Sequence, residues 1–181
     1  HYPLRRQRQM CIRDSANSQT NNQGKISIGV IGAGGFSAGV LIPILQTHND
    51  VKLVGLCTVK GYTSHFNGSK FGFEYCTTDS DHLINDPSID TIFICTRHDS
   101  HADLVLRSLK AGKNVFVEKP LAINNTELEE IRALIERNKS SFLMVGFNRR
   151  FSPHILEIKS RLSSEKSPKS IIVTVNPGQI M

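Results

Sequence analysis

A glycine-rich segment carries the clearest chemical signature in the sequence. Gly32-Ala33-Gly34-Gly35-Phe36-Ser37 directly follows an apolar run over residues 26–31. In such a segment the first glycine permits a tight turn, the second lets the backbone approach a pyrophosphate, and a small third residue lets helix and strand pack closely. The following helix N-terminus favours the phosphate charge. The segment predicts a dinucleotide site at Gly32, Gly34, Gly35 and Phe36; the alternative is a turn needed only for packing.

The end of the second apolar run bears on which dinucleotide would bind. NAD sites place an acidic residue about 20 positions after the glycines, where it accepts from the adenosine ribose. Here the sequence is Cys57-Thr58-Val59-Lys60, without an acid. Thr58 and Lys60 could instead hold the 2′-phosphate of NADP, whereas a solvated surface lysine is the alternative for Lys60. The choice between NADP and NAD stays open, leaning to NADP.

Lys119 is the candidate for proton chemistry. It follows the fifth predicted strand and precedes Pro120, which disfavours helical geometry at the lysine. A lysine at a strand end within a cleft can donate to a substrate hydroxyl or carbonyl. Without a cleft it would be an ordinary surface lysine.

His98 and His101 form a His-x-x-His pair after the fourth predicted strand. Such a pair can bind zinc, which takes three or four protein ligands. No further ligand of suitable spacing is near, so we expect no metal and interpret the segment as a polar loop on the cofactor side.

Strand and helix patterns alternate along the chain, and this positions the candidate residues. The predicted strands are residues 26–32, 51–59, 73–77, 90–96, 114–118 and 141–147, and the predicted helices are 36–46, 63–71, 79–85, 101–111 and 125–138. Pro43 should bend or end the first helix, and Thr126 and Glu129 are spaced as a capping box. The alternation predicts an α/β fold, a doubly wound parallel (Rossmann) sheet of order 3-2-1-4-5-6 with its ligand at the strand carboxyl ends.

The pattern predicts three regions. Residues 1–24 are expected to be a non-native or disordered leader, since RRQRQMCIRDS resembles a translated adapter sequence. Residues 25–150 form the dinucleotide-binding domain. Residues 151–181, with a helix at 153–163 and a strand at 170–176, are expected to begin a truncated α+β substrate domain.

Composition narrows the function class. The net charge is +6, but five of the 22 basic residues and only one of the 16 acidic residues lie within residues 1–25. A nucleic-acid partner is therefore not expected, because such proteins concentrate basic residues on one face. No apolar run is long enough to span a membrane. The four cysteines form no C-x-x-C pair and suit buried thiols in a reducing compartment, which suggests a cytoplasmic protein.

Together these motifs resemble the glucose-fructose oxidoreductase / inositol dehydrogenase (Gfo/Idh/MocA) family. The resemblance covers about residues 25–181 and rests on the glycine segment, Thr96 and His101, the run from Ala111 into Glu118-Lys119-Pro120, and the segment from Val145 to Phe151. The segments Arg-His-Asp-Ser-His and Phe-Asn-Arg-Arg-Phe-Ser-Pro most resemble those of modules fused behind a zinc-type alcohol dehydrogenase-like domain.

The resemblance implies NAD(P)-dependent hydride transfer at a hydroxyl or carbonyl of a sugar or cyclitol. Lys119 would be the catalytic lysine, with Thr96, His98, His101 and Glu118 near the ribose or nicotinamide. It also implies a catalytic histidine and an acidic neighbour beyond Met181, in a second domain through which the protein would form homo-oligomers. The alternative is a non-catalytic regulatory protein of the same fold that senses the dinucleotide.

Overall fold

A computed structural model describes the strand at residues 12–13 and residues 24–138, 140–164, 166–172 and 174. The strands are β1 (Ile12–Arg13), β2 (Ile26–Ile31), β3 (Val51–Cys57), β4 (Tyr75–Thr77), β5 (Thr91–Ile94), β6 (Asn114–Glu118) and β7 (Leu143–Gly146). The helices are α1 (Ile42–Thr47), α2 (Gly61–Phe71), α3 (Ser80–Ile84), α4 (His101–Lys110), α5 (Asn125–Arg137) and α6 (Pro153–Leu162). Within the described ranges, no helix is both long and apolar enough to cross a membrane.

One sheet has the strand order β1-β4-β3-β2-β5-β6-β7. Strands β2 to β7 pair in parallel with their neighbours. The chain winds outward from β2 to β4 and then returns to place β5 on the other side of β2, so the switch point lies between β2 and β5. The predicted α/β class and the predicted order of six parallel strands are confirmed.

The short strand β1 adds an antiparallel edge to this sheet. Ile12 pairs with Cys76 and Arg13 pairs with Tyr75 of β4. The other residues of the expected leader, apart from Gly24, lie outside the described residues.

Apolar side chains on the two faces of the sheet form two core clusters. Adjacent strand residues point to opposite faces, so Val30 packs with Ile42 and Leu56 in one cluster. Ile31 instead packs with Ile92, Val117 and many others in the second cluster. Burial of both faces explains why the strands are nearly continuous apolar runs rather than alternating ones.

The first helix runs past Pro43, so the expected early end is wrong. Residues Ser37–Leu41 form a π-helical turn, and α1 continues from Ile42 to Thr47. The π-helical turn therefore comes just before Pro43, where the regular ladder of hydrogen bonds would otherwise need the N–H that proline lacks.

The cap of α5 lies two residues earlier than the sequence suggested. Asn124 Oδ1 accepts from the Glu127 amide at 2.9 Å, and Glu127 Oε2 accepts from the Ile123 amide at 2.9 Å. Asn124 and Glu127 thus form the reciprocal capping pair, in place of Thr126 and Glu129, because asparagine caps a helix as well as threonine does.

Residues from Phe147 onward form a second compact unit, near the boundary expected at residue 150. In this unit Ser152 caps α6 by accepting from the Ile155 amide at 3.4 Å. Residues 170–172 and 174 have no regular structure, so the described part of the expected strand at 170–176 is not formed. A strand needs neighbouring strands to satisfy its backbone.

Candidate functional site

The glycine turn lies at the switch point of the sheet, directly after β2. Gly32 has φ of +100°, and a Cβ there would meet the Cys95 carbonyl and, at 3.0 Å, the Thr96 amide nitrogen. The Gly32 amide donates to Cys57 O of β3 and the Cys95 amide donates to Ile31 O, both at 2.8 Å. Gly32 is therefore required for the fold itself, because no larger residue fits between β2 and the end of β5.

Unlike Gly32, both Gly34 and Gly35 have open space beside their Cα atoms. Neither has a positive φ, and a Cβ at either position would meet no atom within 4 Å. The Gly34 carbonyl accepts from the Ala38 amide at 2.8 Å, so the helix begins here. These glycines leave space beside a helix N-terminus, which is the environment that a phosphate group needs.

Ser37 packs against the glycine turn. Its side chain is buried, and Oγ donates to the Gly32 carbonyl at 2.9 Å. The requirement for a small residue at this third position therefore has a visible cause: the side chain lies between the helix and the turn.

An open cleft of about 740 Å³ lies over this turn. Its walls come from the ends of β2, β3 and β5, the segment after β4, and one face of α4. The lining residues are Ile31, Gly32, Ala33, Gly34, Cys57, Thr58, Val59, Lys60, Thr63, Thr78, Ser80, Cys95, Thr96, Arg97, Asp99, Ser100, Asp103, Leu104 and Arg107. The cleft is at the carboxyl ends of the strands, where doubly wound sheets bind their ligands.

Thr58 and Lys60 both line the cleft after β3. Thr58 is buried, and its hydroxyl donates to the Lys60 carbonyl at 2.8 Å, which shapes the turn into α2. The Thr58 hydroxyl can accept but has already used its proton, whereas the exposed Lys60 ammonium can donate to a ligand.

Arg107 of α4 lines the cleft. Its place in the site was not predicted from the sequence. Its guanidinium donates to Ser80 Oγ at 2.6 Å and forms ion pairs with Asp103 at 3.3 Å and Asp81 at 3.4 Å. Ser100, Asp103, Leu104 and Arg107 all line the cleft. Their spacing of three and four puts them on one face at the start of α4, a pattern that the sequence contains, but only the packing of the helix shows that this face meets the cleft.

Thr96 lines the cleft, while the two histidines do not. Thr96 Oγ1 accepts from Ser100 Oγ at 2.7 Å. His98 is exposed in a 3-10 turn, with its ring edge-on to His101 at 5.8 Å between centroids. His101 is fully buried, and both ring nitrogens face backbone carbonyls. The described residues include no group of three His, Cys, Asp or Glu that could hold a metal ion.

Glu118, at the end of β6, leaves a buried oxygen unsatisfied. Its Oε1 has no hydrogen-bond partner among the described residues. A Cβ at Gly146 of β7 would come within 2.9 Å of this oxygen, so glycine there makes room for the carboxylate. An unpaired buried acceptor is costly unless a ligand supplies a donor.

Cys95 lies beneath the turn between Ser37 and Glu118. Burial raises the pKa of the Cys95 thiol to about 12; a hydrogen bond with Ser37 opposes the rise and the charge of Glu118 adds to it. The thiol is therefore protonated and unreactive at neutral pH. Cys57 and Cys76 are also thiols and are buried.

Lys119 directly follows β6 and is exposed, outside the lining of the cleft. The peptide bond that joins it to Pro120 is cis. Five of the predicted site residues therefore line one cleft: Gly32, Gly34, Thr58, Lys60 and Thr96. Gly35 and Phe36 flank it at the helix start, whereas His98, His101, Glu118 and Lys119 lie outside its lining.

Known oxidoreductases are similar to this chain in sequence and in fold. The chain is 32% identical over 136 residues to the uncharacterized oxidoreductase YrbE of Bacillus subtilis, a match that covers 75% of this chain and 39% of that protein. It is 32% identical over 139 residues to myo-inositol 2-dehydrogenase of Thermotoga maritima, covering 76% of this chain and 40% of that enzyme. This chain thus spans about two fifths of the length of these relatives.

A solved structure with bound ligands has the same fold. Scyllo-inositol dehydrogenase from Lactobacillus casei, with bound NAD(H) and scyllo-inositol, superposes with a TM-score of 0.72 at 25% identity, over 77% of this chain and 41% of that one. The sequence profile of the Gfo/Idh/MocA oxidoreductases, a family with an NAD-binding Rossmann fold, matches residues 26–147. That match covers most of the chain, which therefore belongs to this oxidoreductase family.

Proposed function

We propose that this chain binds a nicotinamide dinucleotide in the cleft, and that the full-length protein uses it to transfer hydride to or from a hydroxyl or carbonyl carbon of a sugar or cyclitol. The observation that carries the proposal is the glycine turn at the switch point, with open space above Gly34 and Gly35. The bound nicotinamide would supply or accept the hydride, and the residues of the chain would bind, orient and protonate.

The turn fits a pyrophosphate in shape and in charge. Gly34 lines the cleft and presents no side chain to it, while the helix that starts after it directs its N-terminal amides there. Gly32 maintains the turn, and Ser37 keeps the helix close. Gly35 and Phe36 would contribute backbone amides at the start of the helix rather than side-chain contacts.

The opposite end of the cleft would hold the adenosine, and its charges favour NADP. Lys60 lines the cleft as an exposed cation, and the segment after β3 supplies no acid. Arg107, in contrast, already pairs with Asp103 and Asp81. A 2′-phosphate can pair with the Lys60 ammonium, whereas the ribose hydroxyl of NAD finds no carboxylate after β3.

The ends of β5 and β6 would surround the nicotinamide. Thr96 lines the cleft beside the turn, and Glu118, whose Oε1 is buried without a partner among the described residues, ends the neighbouring strand β6. Lys119 follows directly, and we assign it the proton transfer to or from the reacting oxygen. His98, exposed beside this region, would contribute at most a contact to the ribose.

Replacement of Lys119 in the full-length protein tests the catalytic assignment. Lys119→Ala should lower kcat on the order of a hundredfold, the scale of one positioned proton-transfer group, and change dinucleotide affinity little, because the interaction is made in the transition state. Lys119→Arg should not rescue, since a guanidinium keeps its proton. Lys110→Ala, an exposed lysine at the end of α4, is the matched control.

The same experiment separates an enzyme from a regulator. A dinucleotide-sensing regulator would show no turnover to lose, and the variant would change only dinucleotide-dependent association with a partner. Steady-state kinetics with inositols and sugars, followed at 340 nm, give the answer. Full turnover in Lys119→Ala would make the lysine structural.

Location and partners remain part of the proposal. The thiols of Cys57, Cys76 and Cys95 suit a reducing compartment such as the cytoplasm. The basic excess in residues 1–25 gives no reason to expect nucleic-acid binding, and filter binding with duplex DNA should show none above background. Homo-oligomers formed through a further domain would be seen by light scattering of the full-length protein.

A further inference from the structure

His101 joins the two loops that carry the candidate site residues. It is the first residue of α4 and is fully buried. Its Nδ1 lies 2.7 Å from the Pro120 carbonyl oxygen, and its Nε2 lies 3.2 Å from the Thr96 carbonyl oxygen. Thr96 follows β5 and Pro120 follows β6, so one imidazole ring spans the loops after two adjacent strands.

The two contacts differ in length. Both partners are carbonyl oxygens, which only accept. The shorter contact, at 2.7 Å, assigns an N–H to Nδ1, which donates to Pro120 O. Proline has no amide N–H, so this carbonyl is the one backbone hydrogen-bonding group that Pro120 offers, and it is next to Lys119 in the chain.

We propose that His101 is a positioning residue that fixes the Lys119–Pro120 turn relative to the Thr96 wall of the cleft. It acts through Pro120 and touches no ligand. This replaces the expectation of a direct cofactor contact, which a fully buried ring with both nitrogens at backbone oxygens cannot make. The assignment rests on the proposed role of Lys119.

Two conservative variants separate this role from that of an ordinary core histidine. The amide nitrogen of an asparagine falls near the position of Nδ1, and that of a glutamine falls near the position of Nε2. His101→Asn therefore keeps the donor to Pro120 O, whereas His101→Gln loses it and places a donor only towards Thr96 O. If His101 only filled space in the core, the two variants would have equal effects on the protein.

Hydrogen exchange of the chain without dinucleotide is the first measurement. In His101→Gln the amides of Lys119 and of residues 121–123 should exchange about tenfold faster than in the wild type, the scale of one lost hydrogen bond. His101→Asn should stay within about twofold. His65→Asn, which changes an exposed histidine on α2, is the control and should match the wild type.

Kinetics of the full-length protein give the second readout. His101→Gln should lower kcat about tenfold with the KM for dinucleotide unchanged, and His101→Asn should restore most of the loss. Equal effects of the two variants on exchange and kcat would overturn the proposal, as would a His101→Asn protein that does not fold. The exchange measurement contains no dinucleotide, so failure of the wild type to bind one would refute the proposed function separately.

Discussion

Gly34→Val tests whether the open space above the turn is the pyrophosphate site. The substitution is harmless to the fold, because a Cβ at Gly34 would meet no atom within 4 Å and the residue has no positive φ. Its added methyl groups would project into the cleft that Gly34 lines. A ligand pushed off two backbone amides loses at least one charge-assisted hydrogen bond, about 1.5–3 kcal/mol. The affinity should therefore fall roughly tenfold or more.

Gly39→Val is the matched control. Gly39 lies in the π-helical turn of the same helix, a Cβ there also meets no atom within 4 Å, and the residue does not line the cleft. Isothermal titration of both variants and the wild type with NADPH and NADH gives the comparison, with circular dichroism as the check on folding. A folded Gly34→Val protein that binds as tightly as Gly39→Val would place the dinucleotide elsewhere on the sheet.

Three further predictions follow from the contacts above. Lys60→Glu should weaken NADPH binding about tenfold and leave NADH within about twofold; equal losses for both dinucleotides in titrations would remove Lys60 from the 2′-phosphate site. Lys113→Met should lower the free energy of unfolding by roughly 2–4 kcal/mol, since the buried Nζ donates to Asp86 O and Ile89 O, both at 2.7 Å; urea titration should show less than about 0.5 kcal/mol for the exposed control Lys110→Met. In the folded chain the pKa of the Cys95 thiol is raised from 9.0 to about 12. The unfolded chain therefore loses this proton first, and the free energy of unfolding should fall as the pH rises from 9.0 to about 12. Cys95→Ser should flatten this decline in the urea midpoints, and an unchanged slope would contradict the burial of the thiol.

Most of the fold could be predicted because its signals are local. The apolar runs, the glycine turn and Gly112, which ends α4 with φ of +74°, each specify their own backbone. The parallel order then follows from the handedness of the crossovers. The early end at Pro43 and the cap of α5 were predicted wrongly because each place has two local solutions. The helix passes Pro43 after a π-helical turn, and α5 is capped by an asparagine.

The site was predicted less completely because it depends on which residues converge across the sheet. Strand ends identified Thr58, Lys60 and Thr96, but the inward face of α4 that carries Arg107 is visible only after the helix is placed. His101 looked like a ligand because polar residues after strands often are. Its burial between Thr96 and Pro120 is a tertiary fact that spacing alone does not encode.

Direct titration of the wild-type chain with NADPH tests the central claim most simply. The glycine turn, the cleft and the open space at Gly34 all lie within residues 24–146, so the folded chain should bind with saturation at one site. The dissociation constant should rise roughly tenfold or more in Gly34→Val and stay at the wild-type value in Gly39→Val. A folded chain that gives no saturable binding of either NADPH or NADH up to millimolar concentration would contradict the account.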